Sequence, residues 1–164
     1  MIKIRPIRPD ETEIARQLIY TVAKDVFNDP LPLEEIMAYY DSRGTLKEME
    51  DIQKNYFDNG GVFLVMIDDD RIICTGAVHK LEDGICELKR LWLLTEYHGR
   101  GLGYRMMQEL LSFARTQGYE RMRLETDPVS QKPAMEFYKR VGFHEIPFIN
   151  PTPDEEDIMM EMEL

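Results

Sequence analysis

The hydrophobic period of this sequence changes near residue 62, and that change constrains the fold more than any other feature. Before it, Ile14, Leu18, Ile19, Val22 and Val26 recur at helical spacing, as on the buried face of an amphipathic helix. Asp10 and Glu13 stand where an N-cap and its N3 partner belong. Asn28-Asp29-Pro30 ends that helix, and a short helical stretch over 33–40 follows. Leu46, Met49, Ile52 and Tyr56 mark one more apolar face before Asn59-Gly60-Gly61 stops it. After residue 62 the pattern is strand: 62–67, the turn Asp68-Asp69-Asp70, 71–79, the turn Glu82-Asp83-Gly84, and 85–94. Polar turns between apolar runs predict hairpins, so the middle of the chain is expected to be antiparallel. A further alternating run, 2–7, predicts a strand at the start.

Strand and helix then alternate. A glycine-rich turn over 98–103 leads into a helix with Leu102, Met106, Leu110, Phe113 and Ala114 on its apolar face and Gly118 as its C′ residue. Arg121–Thr126 predicts a strand, 133–140 a helix stopped by Gly142, and 143–146 and 158–164 the last strands, with a Pro-rich acidic loop over 147–157. This order predicts an α+β fold rather than a doubly wound sheet. The 164 residues suit a single domain without a linker.

Charge excludes several functions. Lys and Arg number 20 against 31 Asp and Glu, a formal net charge of −11. Nucleic-acid binders carry a basic face, and none is evident, so no nucleic-acid partner is expected. An acidic envelope attracts cations and repels anions at long range, so a polyanionic ligand needs a local site built for it. Cys74 and Cys86 lie in apolar runs without CxxC or clustered histidines, which predicts two buried free thiols and no metal site. Asp68–Asp70 lacks the spacing of a calcium loop and reads as a solvated turn. The opening residues carry no apolar signal core, and the longest apolar run, 62–67, is far below a membrane span. A cytoplasmic protein without a membrane partner is the expectation.

Chemistry concentrates in ELKRLWLLTEYHGRGLG, residues 87–103. A strand runs into a glycine turn, and the turn opens a helix. That arrangement aims backbone N–H groups and the positive end of a helix dipole at one point, which suits phosphate. Arg100 and Arg105 are candidate charge contacts. A Walker loop is absent because no Lys follows the glycines, and the dinucleotide fingerprint fails at Tyr104 and Met106. The acyl-CoA turn, [QR]-x-x-G-x-[GA], matches His98–Gly103 except that His98 replaces Gln or Arg. A glycine-rich helix start without a ligand is the bland alternative. After the next strand comes AMEFYKRVGF, 134–143, a short helix ending in Gly142-Phe143. In combination, from about Val62 to Phe143, the sequence resembles the GNAT superfamily of acyl-CoA-dependent N-acyltransferases. The opening Ile4-Arg5-Pro6 before a helix is also similar, whereas 28–59 does not match closely.

The resemblance implies a mixed, mostly antiparallel sheet with a splayed parallel pair, 85–94 and Arg121–Thr126, flanked by helices. It implies acetyl-CoA as co-substrate. Pantetheine would lie along the backbone of Leu91, Trp92 and Leu93, and the pyrophosphate on the N–H groups of Gly99, Arg100, Gly101, Leu102, Gly103 and Tyr104. Ser130 or Gln131 would reach the cofactor from the loop before the last helix. The implied activity is N-acetyl transfer to a primary amine by direct attack on the thioester. The other readings are an acyl-CoA-binding sensor without turnover and a structural domain with an empty glycine turn. Exposed edge strands and the habit of the family leave a homodimer open.

Two side chains are implied to carry the chemistry. Glu87 lies eleven residues before His98, where family members place a glutamate base; the structural alternative is a cross-strand pair with a neighbouring Arg or Lys. Strict alternation sets Glu87, Lys89 and Leu91 on one face and Leu88, Arg90 and Trp92 on the other. Tyr138 would be the acid that protonates the departing thiolate; the alternative is packing beside Ala134, Phe137 and Val141. Tyr39 and Tyr40 are candidates for the acceptor pocket or for helix packing, and His79 reads as an ordinary imidazole at a strand end. The acidic balance favours a cationic acceptor, a small amine or a protein amino group.

Overall fold

A computed structural model describes residues 1–148 and 157–164; most of the expected acidic loop, 149–156, lies outside the described residues. The elements run β1 (Ile2–Pro6), α1 (Thr12–Val26), α2 (Leu33–Ser42), β2 (Val62–Asp68), β3 (Arg71–Glu82), β4 (Ile85–Leu93), α3 (Leu102–Thr116), β5 (Arg121–Thr126), α4 (Lys132–Val141), β6 (His144–Ile146) and β7 (Ile158–Glu163). The described strands form one sheet ordered β1-β2-β3-β4-β5-β7-β6. Every neighbouring pair is antiparallel except β4 and β5. The α+β architecture with one parallel pair is as expected. No helix among the described residues is long and apolar enough to cross a membrane.

Two local expectations are corrected. Glu11, not Glu13, closes the first turn: its carboxylate accepts both the Arg8 N–H (2.8 Å) and a bidentate pair from Arg5 (2.8 Å each). Those donors fix a 3₁₀ turn over Pro9–Glu11, and α1 starts only at Thr12. The segment after α2 buries Leu46, Met49, Ile52 and Tyr56 as the periodicity requires, but it is a 3₁₀ turn (Lys47–Asp51) running into a π turn (Gln53–Phe57). Side chains compete with the helical ladder there: Asn55 Nδ2 donates to the Glu48 carbonyl (2.8 Å), and Asp51 Oδ1 accepts the Lys54 N–H (3.0 Å).

The core forms against β3 and β4. Gly76 lets α3 approach: a Cβ there would meet Leu110 Cδ1 at 2.9 Å and Met106 Cγ at 3.0 Å. One residue on, Ala77 is buried and paired with Phe63, whose ring takes the edge of Tyr56. Alternation thus sends Gly76 toward α3 and Ala77 toward the Tyr56 segment. Cys74 and Cys86 are both buried and free, and burial pushes each thiol up to about 12, which removes them as nucleophiles at neutral pH.

Gly61 is the least replaceable glycine of the sheet. A Cβ there would stand 1.9 Å from the Val78 carbonyl oxygen and 2.7 Å from His79 Cα, and backbone cannot swing aside as a side chain can. Gly61→Ala is expected to destabilise by about 3 kcal/mol or more, lowering the thermal midpoint by roughly 6–12 °C in a chain of this size. Calorimetry of the two proteins checks it.

Candidate active site

Parallel pairing between β4 and β5 covers only Ile85–Glu87 against Arg121–Arg123. Beyond that point β5 continues with β7 as far as Thr126 and Ile158, and β4 continues with β3 as far as Leu93 and Cys74. Among the described residues, the facing edge of β4 from Leu88 onward therefore has no strand beside it. It is a free edge inside the molecule, able to bond an extended chain carrying amide groups.

A bulge shapes this edge. Lys89 pairs with Ala77 and Trp92 with Thr75, so Arg90 and Leu91 together oppose Gly76. Arg90 has φ +59. Its Nε donates to Glu48 Oε1 at 2.6 Å and its Nη2 to the Thr45 carbonyl at 3.0 Å. Strict alternation thus fails after Lys89: the extra residue lets Arg90 reach the segment that also packs near Glu87.

The edge leads into the glycine turn. Gly99 (φ +78) and Gly101 (φ +75) are left-handed, and Gly101 caps α3. No atom lies within 4 Å of where a Cβ would stand at 99, 101 or 103, so the surface over the turn is open. The first N–H groups of α3 have no helical partner, and its first turn holds no acidic residue. His98, at the family's Gln/Arg position, donates from Nε2 to the Leu93 carbonyl at 2.8 Å, tying the turn to the end of β4. Arg100 lies 5.0 Å over the Tyr97 ring and donates to the Glu96 carbonyl, while Arg105 donates to the Ile2 carbonyl. Neither arginine lines the cleft, so the positive character of the turn is backbone.

The cleft has a volume of about 1370 Å³, more than the roughly 300–1,000 Å³ of a pocket for one small ligand. It brings together Glu87, Leu91, Trp92, Leu93, Gly99, Gly101, Leu102, Gly103, Tyr104, Ser130, Gln131 and Tyr138. Of the two tyrosines on α2, Tyr40 lines it and stacks on Tyr20, whereas Tyr39 is exposed and takes a hydrogen bond from Arg43. Gln131 is engaged by Thr126, whose hydroxyl donates to its side-chain oxygen at 3.0 Å. Tyr138 packs against Phe137 and Phe143, and no described residue hydrogen-bonds its hydroxyl. Burial pushes that hydroxyl up to about 12, so it stays a donor through the neutral range.

The cleft carboxylates divide. Glu87 is raised by burial, but the 2.8 Å contact of Oε1 with His79 Nε2 and the charges of Lys89 and Arg90 outweigh this and hold it below the ordinary range. Glu125, two residues past the register partner of Glu87, also lines the cleft. Burial and the Glu87 and Asp157 charges raise its proton affinity.

Residues 14–143 match the acetyltransferase (GNAT) family. The chain belongs to that family. Human N-acetyltransferase 8B is 31% identical over 102 residues, covering 58% of this chain and 44% of that protein. The chain therefore spans less than half the length of that relative. An uncharacterised N-acetyltransferase of Schizosaccharomyces pombe is 32% identical over 120 residues, covering 70% of this chain and 72% of that protein. Among solved structures, a GNAT-family acetyltransferase of Staphylococcus aureus superposes with a TM-score of 0.82 at 21% identity, covering 99% of each chain. The PaiA N-acetyltransferase of Thermoplasma acidophilum, solved with coenzyme A, superposes with a TM-score of 0.79 at 21% identity, over 100% of this chain and 99% of that one.

Three site features of this GNAT chain lie beyond the sequence reading: the His79–Glu87 contact, Glu125, and the Arg90–Glu48 pair. Glu125 had a signal, a carboxylate between the buried Leu124 and Thr126 at the end of a strand. His79 and Glu87 pair because the register shifts between Lys80 and Glu82. A hairpin counted straight out from Asp83-Gly84 puts Lys80 opposite Glu87; instead Lys80 turns to Asp83 at 2.8 Å.

The lowered proton affinity of Glu87 makes a stability prediction. A carboxylate depressed in the folded state stabilises above its unfolded pKa, and that stability is lost as pH falls through the folded value. Glu87→Gln is expected to cost about 1–2 kcal/mol at pH 7. The gap to wild type should shrink below about pH 4. Urea unfolding at pH 7 and pH 3.5 checks both; a gap independent of pH would refute the ionised pairing.

Proposed function

We propose that this chain is an acetyl-CoA-dependent N-acetyltransferase that moves an acetyl group to a primary amine by direct attack on the thioester. The observation that carries this reading is the unpaired edge of β4 running into an open left-handed glycine turn, with the Tyr138 hydroxyl in the same cleft. Pantetheine amides fit the backbone of Leu91, Trp92 and Leu93. The pyrophosphate fits the N–H groups of residues 99–104 at the start of α3, with Ser130 on the rim. The first and last described strands share one sheet, which supports reading all 164 residues as one catalytic domain. The buried free thiols suit a reducing, cytoplasmic setting.

Holding both reactants in one cleft supplies much of the rate. The amine must lose a proton before it attacks. Its nitrogen then bonds to the acyl carbon, a backbone N–H near Leu93 serves the oxyanion, and the carbon–sulfur bond breaks. An ordinary alkyl thiol has a pKa of about 8.5, well below the value of about 12 for Tyr138. The hydroxyl therefore stabilises the departing thiolate chiefly by donating a hydrogen bond. Glu87 is proposed as the base. A second reading has its own support: Glu125 holds a proton more strongly than Glu87, which suits it to take the proton while Glu87 holds the ammonium. The variant, Glu87→Gln or Glu125→Gln, that removes the acidic limb of the kcat/KM profile names the base. The acidic surface and the cleft carboxylates favour a cationic acceptor, a small amine or a protein amino group.

Isothermal titration with acetyl-CoA tests the cofactor. Wild type is expected to bind, and Gly101→Glu to lose binding because its carboxylate would occupy the pyrophosphate position. No binding by folded wild type would overturn the reading. With an acceptor found by thiol release across an amine library, Tyr138→Phe is expected to cost about 100-fold in kcat with acetyl-CoA affinity within about 3-fold of wild type. Binding without thiol release from any amine would favour a sensor.

A further inference from the structure

Arg90 is an anomaly in β4. It is neither Gly nor Asn, yet it sits at φ +59, in the left-handed region where an L-residue is strained. Such a conformation persists only when its surroundings over-determine it. Here three bonds do so. The Thr75 hydroxyl donates to the Arg90 carbonyl at 2.6 Å, and the guanidinium donates to Glu48 at 2.6 Å and to the Thr45 carbonyl at 3.0 Å. The side chains of Arg90 and Glu48 are 16% and 23% exposed, sheltered enough for the pair to hold its geometry. Glu48 is fixed in turn, because the buried Tyr56 donates to the same carboxylate oxygen at 2.9 Å.

The pair spans two walls of the cleft. Arg90 is in the bulge that sets the free edge of β4, and Thr45, which it grips, lines the cleft from the opposite segment. That segment lacks a regular α-helix to hold it. The Arg90 charge is met by Glu48, so the guanidinium is a tie and not a ligand. We propose that the Arg90–Glu48 ion pair is a positioning device that holds the strained bulge open for the cofactor and fixes the 45–57 segment, which enters the cleft wall at Thr45 and Leu46. This rests on the acyl-CoA reading and gives Arg90, whose guanidinium is engaged by Glu48 and Thr45, a positioning role.

A double-mutant cycle with a glycine rescue tests it. Acetyl-CoA affinity is measured by titration, and amide hydrogen exchange is followed over 45–57 and 91–93. Arg90→Ala keeps the backbone strain and loses the tie, so its affinity should fall about 10-fold or more. Arg90→Gly loses the tie and the strain together, so its affinity should stay within about 3-fold of wild type while exchange over 45–57 rises. Glu48→Gln should weaken binding about 10-fold in the wild type and not at all in Arg90→Gly. It should also speed exchange in both segments. Equal losses in Arg90→Gly and Arg90→Ala would overturn the proposal, and so would affinities all within 3-fold of wild type. Should Arg90→Ala fail to fold, Glu48→Gln decides: faster exchange over 45–57 alone refutes the coupling. Wild type that binds no acetyl-CoA would sink the acyl-CoA reading, while the exchange arm, which needs no ligand, still tests the tie.

Discussion

Backbone pairing between the parallel strands β4 and β5 ends at Glu87 and Arg123, and the rest of the cleft depends on that ending. Two neighbouring strands leave each other only if each has somewhere else to bond. β5 keeps a full antiparallel partner in β7, and β4 keeps one in β3. At the closed end, Arg123 is buried in an ion pair with Glu161 at 2.7 Å, a cross-strand lock between β5 and β7. The splayed pair is thus a stable arrangement whose two facing edges, β4 beyond Glu87 and β5 beyond Arg123, are sheltered in a cleft rather than presented to other chains.

An acidic protein that is to hold a polyanion has to solve a field problem, and the means this chain offers at the glycine turn is backbone. At a net charge of −11, long-range attraction works against an anion. The two arginines nearest the turn do not compensate, since both are turned onto carbonyls elsewhere. What remains is the short-range field of left-handed glycines and unbonded N–H groups at the start of α3. Such a field is strong at contact and negligible a few ångströms away, so it discriminates by fit rather than by charge.

What the sequence made legible is what local rules govern. The hairpins follow from turn residues, α3 from its period, and the run of β4 into a glycine turn from the strand-turn-helix order. What it concealed is register. Leu81 is an extra residue between Lys80 and Glu82 in the β3–β4 ladder, and it exchanges Lys80 for His79 as the partner of Glu87. Arg90 is another, and nothing about an arginine announces a left-handed bulge. Both depend on contacts far along the chain: Tyr56 against His79, and Glu48 against Arg90. Pattern rules that look a few residues ahead do not reach such pairs.

The register shift has a chemical consequence. Histidine instead places its Nε2 2.8 Å from Glu87 Oε1, with its second nitrogen 2.9 Å from the Lys80 carbonyl and 3.3 Å from Asn59 Nδ2. Burial raises Glu87, but the His79 contact and the nearby Lys89 and Arg90 charges hold it below the ordinary range, while Glu125 in the same cleft is shifted the opposite way. Two carboxylates of one cleft whose environments push them apart are the usual foundation for dividing charge capture from proton transfer. In this chain the partner of Glu87 is set by one inserted residue in a hairpin, well away from the glycine turn.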